Sequence, residues 1–221
     1  YNEGKRWEPI GSEDNQFYGN LDGNKHCIKG LIIERQGEYG CALFSYTRGE
    51  IKNLCVSEFK VSGMTRAYIT AYNRGVIDGC SNIDSIKFDT GFDSKEDERT
   101  EFTGVFCYRN GGTIKNCYNL GNIEANGYIG VMAYENYGII KQCYNAGDIT
   151  AAKTGAGIAV RSNGKIYDCY NTGDIKTGGY AGGIAGRASS IATSYNTGAV
   201  ISYNGEDYVD GIVGDSYDCK V

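Results

Sequence analysis

Two carboxylates are the first residues in this sequence whose placement suggests chemistry. Asp148 and Asp174 sit near the ends of matching strings, QCYNAGDI and DCYNTGDI. Copies stacked as neighbouring strands would hold them about 5 Å apart, the spacing of nucleophile and acid/base in retaining glycosidases. The flanking copies carry Asn122 and Ala199 there, however, and a carboxylate after glycine is commonly a solvated turn residue. A polysaccharide lyase would need a basic proton abstractor beside an acidic calcium cluster. Arg161 and Arg187 are equivalent by position, but no acidic cluster accompanies them. Asp89, Asp93, Asp97 and Glu98 could hold calcium, yet their spacing follows no known calcium loop and reads as a solvated charge run. With a single His, no HExxH helix and no CxxC pair, zinc lacks its ligands. The residues predict no catalytic set, no metal and no cofactor.

Three further columns recur in the same strings. Cys117, Cys143 and Cys169, with Ser194 next in line, read as small buried thiols; side chains in register point parallel, so disulfides between them are not expected. Asn119, Asn145, Asn171 and Asn196 lie two residues further on and share the inward side, where stacked amides satisfy one another and the turn. Tyr118, Tyr144, Tyr170 and Tyr195 fall between and face outward. They suit either a self-stacked ladder or a platform for sugar rings and partner side chains. Identity in all four copies favours the ladder.

The elements that position these columns follow from the repeat itself. NCYNLGNI, QCYNAGDI, DCYNTGDI and TSYNTGAV place their Cys or Ser at 117, 143, 169 and 194, steps of 26, 26 and 25 residues. Weaker copies end at Leu31, Leu54 and Cys80, making seven. Between them runs a glycine-containing apolar stretch, seen as GYIGVMA, TGAGIAV, AGGIAG and DGIVG. Apolar segments this short, bounded by Gly and Asn, read as strands, two or three to a unit. Such a unit cannot bury its own apolar face and must stack on its neighbours. The expected fold is all-β: a right-handed parallel β-helix of about seven coils, roughly 30 to 35 Å long, in one domain over residues 1–221. Between Cys80 and Cys117 the step grows to 37 residues. The extra residues fall within 86–102 as a charged surface loop, whose Asp89, Phe92, Asp93 and Asp97 are candidates for contacting a partner.

Composition narrows the partners. With 22 basic and 27 acidic residues the net charge is −5, and no basic stripe exists to track a phosphate backbone, so nucleic acid is not expected. Apolar runs fall far short of the roughly 20 residues of a membrane span. The 33 Gly would fit disorder, but 41% hydrophobic content and the regular spacing exclude it. Nine Cys leave at least one thiol unpaired within a monomer. No charged-then-apolar leader opens the sequence, which fits a removed signal peptide or a fragment of a longer protein, the second being the leading expectation.

With GGIAG, GIVG and the opening WEPIGSEDNQFYGNLDGNKHCIKGLII, the chain resembles the GLUG-motif family of bacterial surface proteins. The resemblance spans about 200 residues. It implies a parallel β-helix outside the cell, as in adhesin-like proteins and the non-catalytic region of Gram-positive immunoglobulin A peptidases. The leading expectation is therefore a non-enzymatic binding module, secreted or on the cell surface. It would be linked to neighbouring domains and adhere to a host or matrix protein or glycan through the loop at 84–102 and edges such as 135–139. The alternatives are a spacer or substrate-positioning domain of a secreted peptidase and, third, a polysaccharide lyase or glycosidase.

Overall fold

The computed structural model describes residues 6–35, 37–88, 101–205 and 208–215. These form strands of two to four residues, with no helix among the described residues. A typical coil runs Cys107–Asn110, Thr113–Lys115, Tyr118–Asn119, Ile123–Ala125 and Tyr128–Gly130, and the next restarts at Ala133–Asn136. Five strands per coil replace the two or three expected. The extra ones are pairs such as Tyr118–Asn119, too short to show alternation in sequence. Stacked along the axis, equivalent strands make five parallel sheets of seven, seven, seven, five and six strands, numbered first to fifth in that order. The pair Ile32–Glu34 and Lys60–Ser62 takes the fourth position in the opening coils. The result is a parallel β-solenoid of about seven turns.

Register is one-to-one, so the core is built of columns of like residues. Ile51, Ile77, Ile114, Ile140, Ile166 and Ile191 stack in the second sheet, all buried. Ile86, Ile123, Ile149 and Ile175 do the same in the fourth. β-Branched side chains suit this surface because their single stiff rotamer repeats from rung to rung.

Corners are made by two devices. Immediately before the third sheet each coil places one residue in the left-handed region, among them Asn53, Asn116, Gln142 and Asp168, with φ of 53°, 56°, 54° and 54°. Just after it, Gly121, Gly147, Gly173 and Gly198 form a column in which an added Cβ would overlap the backbone carbonyl of the coil before. That close approach, more than flexibility, explains much of the glycine content.

Buried amides fix the same corner. Asn82, Asn119, Asn145 and Asn171 each donate a side-chain N–H to the Oδ1 of the Asn one coil on, at 2.7 Å throughout. The second N–H of Asn119, Asn145 and Asn171 goes to the carbonyl two residues ahead, also at 2.7 Å. A second ladder, not foreseen, joins Asn73, Asn110, Asn136 and Ser162 at 2.7, 2.8 and 2.9 Å.

Cys117, Cys143 and Cys169 are free thiols, and a disulfide forms in another column. Cys27 and Cys55 are in register and form a disulfide, their Cα atoms 4.2 Å apart. They belong to the outward column that Ser81 and Tyr118 continue, not to the inward thiol column. Outward side chains are not locked by core packing and can lean together. Inward thiols are held to carbonyls two residues back, as Cys143 Sγ is to Lys141 at 3.1 Å. The strands Ile86–Phe88 and Phe102–Gly104 bracket the insertion, and a buried Arg66–Glu101 ion pair sits at its return. Asp89, Phe92, Asp93 and Asp97 lie outside the described residues.

Gly147→Ala should cost about 2–3 kcal/mol, because the new methyl must displace backbone of the neighbouring coil. Gly111→Ala, where a Cβ meets nothing closer than 3.6 Å, should be near neutral. Denaturant unfolding of the two variants checks the contrast; equal losses would contradict it.

Candidate functional site

Large aromatic side chains fill the corner between the fifth and first sheets through the middle coils. In one outward column Phe102 packs on Tyr128, ring centroids 5.5 Å apart. In the next, Tyr108 and Tyr134 stack at 5.5 Å and 2°, and Phe102 meets Tyr134 at 4.8 Å. One coil later both columns lose their rings. Register places Thr154 after Tyr128 and Tyr180 after Thr154. It places Val160, then Gly186, after Tyr134. The missing rung opens a groove of about 460 Å³ between Tyr128 and Tyr180, whose backbones stand two coils, or roughly 9.6 Å, apart.

Charge concentrates at the rim. Lys153, Arg161 and Arg187 line the groove, and among the described residues no carboxylate does, although the whole chain carries −5. Lys153 Nζ lies 5.8 Å from the Tyr128 ring centroid. Along the first sheet the outward column runs Tyr72, Arg109, Glu135, Arg161, Arg187 and Asp215. Its ends pair off: Arg109 Nε donates to Glu135 at 2.7 Å, and Arg187 Nε to Asp215 at 2.9 Å. Arg161 between them is exposed and has no ion pair or side-chain hydrogen bond among the described residues. Two smaller depressions, about 280 and 270 Å³, open onto the same column beside Tyr72 and Glu135. Burial pushes the Tyr108 phenol up to about 12 and raises Tyr134 as well, so both stay neutral packing groups.

The sequence-derived candidates are placed elsewhere. Tyr118, Tyr144, Tyr170 and Tyr195 stack at 5.2, 4.8 and 5.2 Å with planes within 7°. Each inner ring has both faces covered by its neighbours, leaving edges and the outer face of the half-exposed Tyr195. Asp148 and Asp174 do stand in adjacent rungs, but each carboxylate accepts a backbone amide of the next coil, Asp174 N at 2.9 Å and Ala199 N at 2.8 Å. Asn122 does the same for Asp148 N at 2.9 Å, which is why Asn and Asp interchange there.

Cys80 joins Cys117, Cys143 and Cys169 in a fully buried column. Desolvation raises the Cys117 and Cys143 thiols well above their ordinary range, and the hydrogen bond with Cys117, followed by burial, raises Cys80. Thiols held neutral are poor nucleophiles and poor metal ligands. Among the described residues no group of three or more His, Cys, Asp or Glu could hold a metal ion.

Repetition alone does not point to the groove. Its signal is the departure from the repeat, Tyr, Thr, Tyr at 128, 154 and 180 and Tyr, Val, Gly at 134, 160 and 186.

No family model matches the chain, and no curated protein does. Its structure is similar to the crystal structure of a candidate immunoglobulin A1 protease from Bacteroides ovatus, with a TM-score of 0.58 at 19% identity. The match covers 90% of this chain and 66% of the other, so the chain spans a little under two thirds of that protein's length. At that identity the likeness is one of fold.

Alkylation of the native protein should leave Cys80, Cys117, Cys143 and Cys169 unmodified, and unfolding should expose all four. Peptide mapping by mass spectrometry checks this; rapid native labelling of Cys143 would show that the column is open to solvent.

Proposed function

We propose that this chain is a non-catalytic glycan-binding module of a larger bacterial protein that acts outside the cell. The carrying observation is the groove, where an outward row of aromatic residues drops one rung and leaves Tyr128 and Tyr180 as walls. Aromatic walls bury sugar ring faces at little entropic cost. Three depressions along one column suit an elongated ligand such as the glycan of a host or matrix glycoprotein. The resemblance to GLUG-motif surface proteins supports a place at the cell surface or beyond it, as does the Cys27–Cys55 disulfide, a bond that persists in oxidising compartments.

A second reading has its own support. The likeness to a candidate immunoglobulin A1 protease over 90% of the chain fits a non-catalytic domain that positions substrate for a linked peptidase. The two readings are compatible if the positioned substrate is a glycoprotein held by its sugars.

Glycan-array binding by the purified chain should be detectable and should fall about tenfold or more in Tyr180→Ala. Deleting residues 89–99 should leave it intact. Binding lost with the loop and retained in Tyr180→Ala would move the site to the insertion; no binding to any glycan would leave the spacer reading.

A further inference from the structure

We infer that the groove takes an acidic sugar, its ring in the empty rung between Tyr128 and Tyr180 and its carboxylate on Arg161. This deepens the glycan reading and rests on it.

Three observations carry the step from glycan to acidic glycan. The described rim of the groove carries Arg161 and Arg187 and no carboxylate among the described residues, on a chain that is acidic overall. Fixed carboxylates already engage the other two arginines of the outward column, Arg109 through Glu135 and Arg187 through Asp215. Arg161 sits between them in register, one coil from Glu135 and one from Arg187, with its guanidinium unpaired among the described residues. Its in-register neighbour Glu135 is engaged by Arg109, so the column offers at Arg161 a planar fork of N–H donors that no described carboxylate pairs. A ligand carboxylate meets that fork with two parallel hydrogen bonds, which a hydroxyl cannot do.

Shape agrees with charge. Thr154 is the only rung between two tyrosines of its column, and Phe102, Tyr128, Tyr180 and Tyr208 fill the other positions from 102 onward. A sugar ring entering that position would fill the gap between the tilted pairs Phe102–Tyr128 and Tyr180–Tyr208, whose centroids lie 5.5 and 4.7 Å apart. Val160 and Gly186, small where Tyr134 is large, clear the path from this slot to Arg161 and Arg187.

The decisive experiment is calorimetric titration of the whole chain with oligosaccharides ending in a uronic acid or in a sialic acid, each beside its carboxyl-reduced neutral twin. At least one acidic ligand should bind tenfold or more tighter than its twin. That preference should vanish in Arg161→Gln, an exposed change, and weaken as salt is raised. Thr154→Tyr, which restores the rung that neighbouring coils carry, should abolish binding while leaving thermal stability unchanged or higher. Lys165→Ala on the second sheet should bind as the parent does. Equal binding of acidic ligands and neutral twins overturns the acidic assignment and leaves the glycan reading standing, as does an acidic preference that survives Arg161→Gln. Absence of binding to every ligand, here and on the array, overturns both.

Discussion

Asn119, Asn145 and Asn171 each bury a carboxamide in a corner that water does not reach, and the whole architecture depends on how those amides are satisfied. One N–H goes to the turn carbonyl two residues ahead and the other to the Asn of the next coil. A buried donor left without its acceptor costs about 1–3 kcal/mol, so a slip of one residue between coils would orphan a row of them at once. The same slip would turn the buried isoleucine columns out to solvent, so amide and apolar columns demand one register together. The ladder has a direction as well: its first member, Asn82, faces Val56 in the coil below, and its Oδ1 has no partner among the described residues.

Much of this was legible in sequence because a solenoid repeats its constraints. The step of 26 residues in CYN-x-G gave the coil length, and each letter of that string answers a physical demand. The thiol is small enough for the core, the ring stacks outside, the amide ladders, and the neighbouring carbonyl passes over the glycine. The number of strands per coil was not legible, because Tyr118–Asn119 and its equivalents are too short to alternate. Nor was the Cys27–Cys55 disulfide, since those residues lie in the tyrosine column of the coil and only register reveals it. Asn73, Asn110 and Asn136 were hidden differently: the strings around them, YNRG, YRNGG and YENYG, share little beyond a Tyr, the Asn and a nearby Gly.

The groove follows an opposite logic. Structural residues repeat because every coil meets the same neighbours, whereas a site that meets a ligand once has reason to break the pattern. Thr154 and Gly186 break it on the same corner, beside an arginine that the column leaves unmatched. Tyr118, Tyr144, Tyr170 and Tyr195 keep it, and their rings cover one another. Uniform columns hold this protein up, and the exceptions to them form the groove in which we propose that it binds.

Whether side-chain ladders set the register is best measured by a double-mutant cycle on Asn119 and Asn145, read by equilibrium unfolding. Each Asn→Ala change alone strands its partner's amide, while the double variant removes both halves of that contact. The double loss should therefore fall short of the sum of the single losses by about 1 kcal/mol or more. Strict additivity would show that the two amides do not meet, and that the columns are not what aligns one coil on the next.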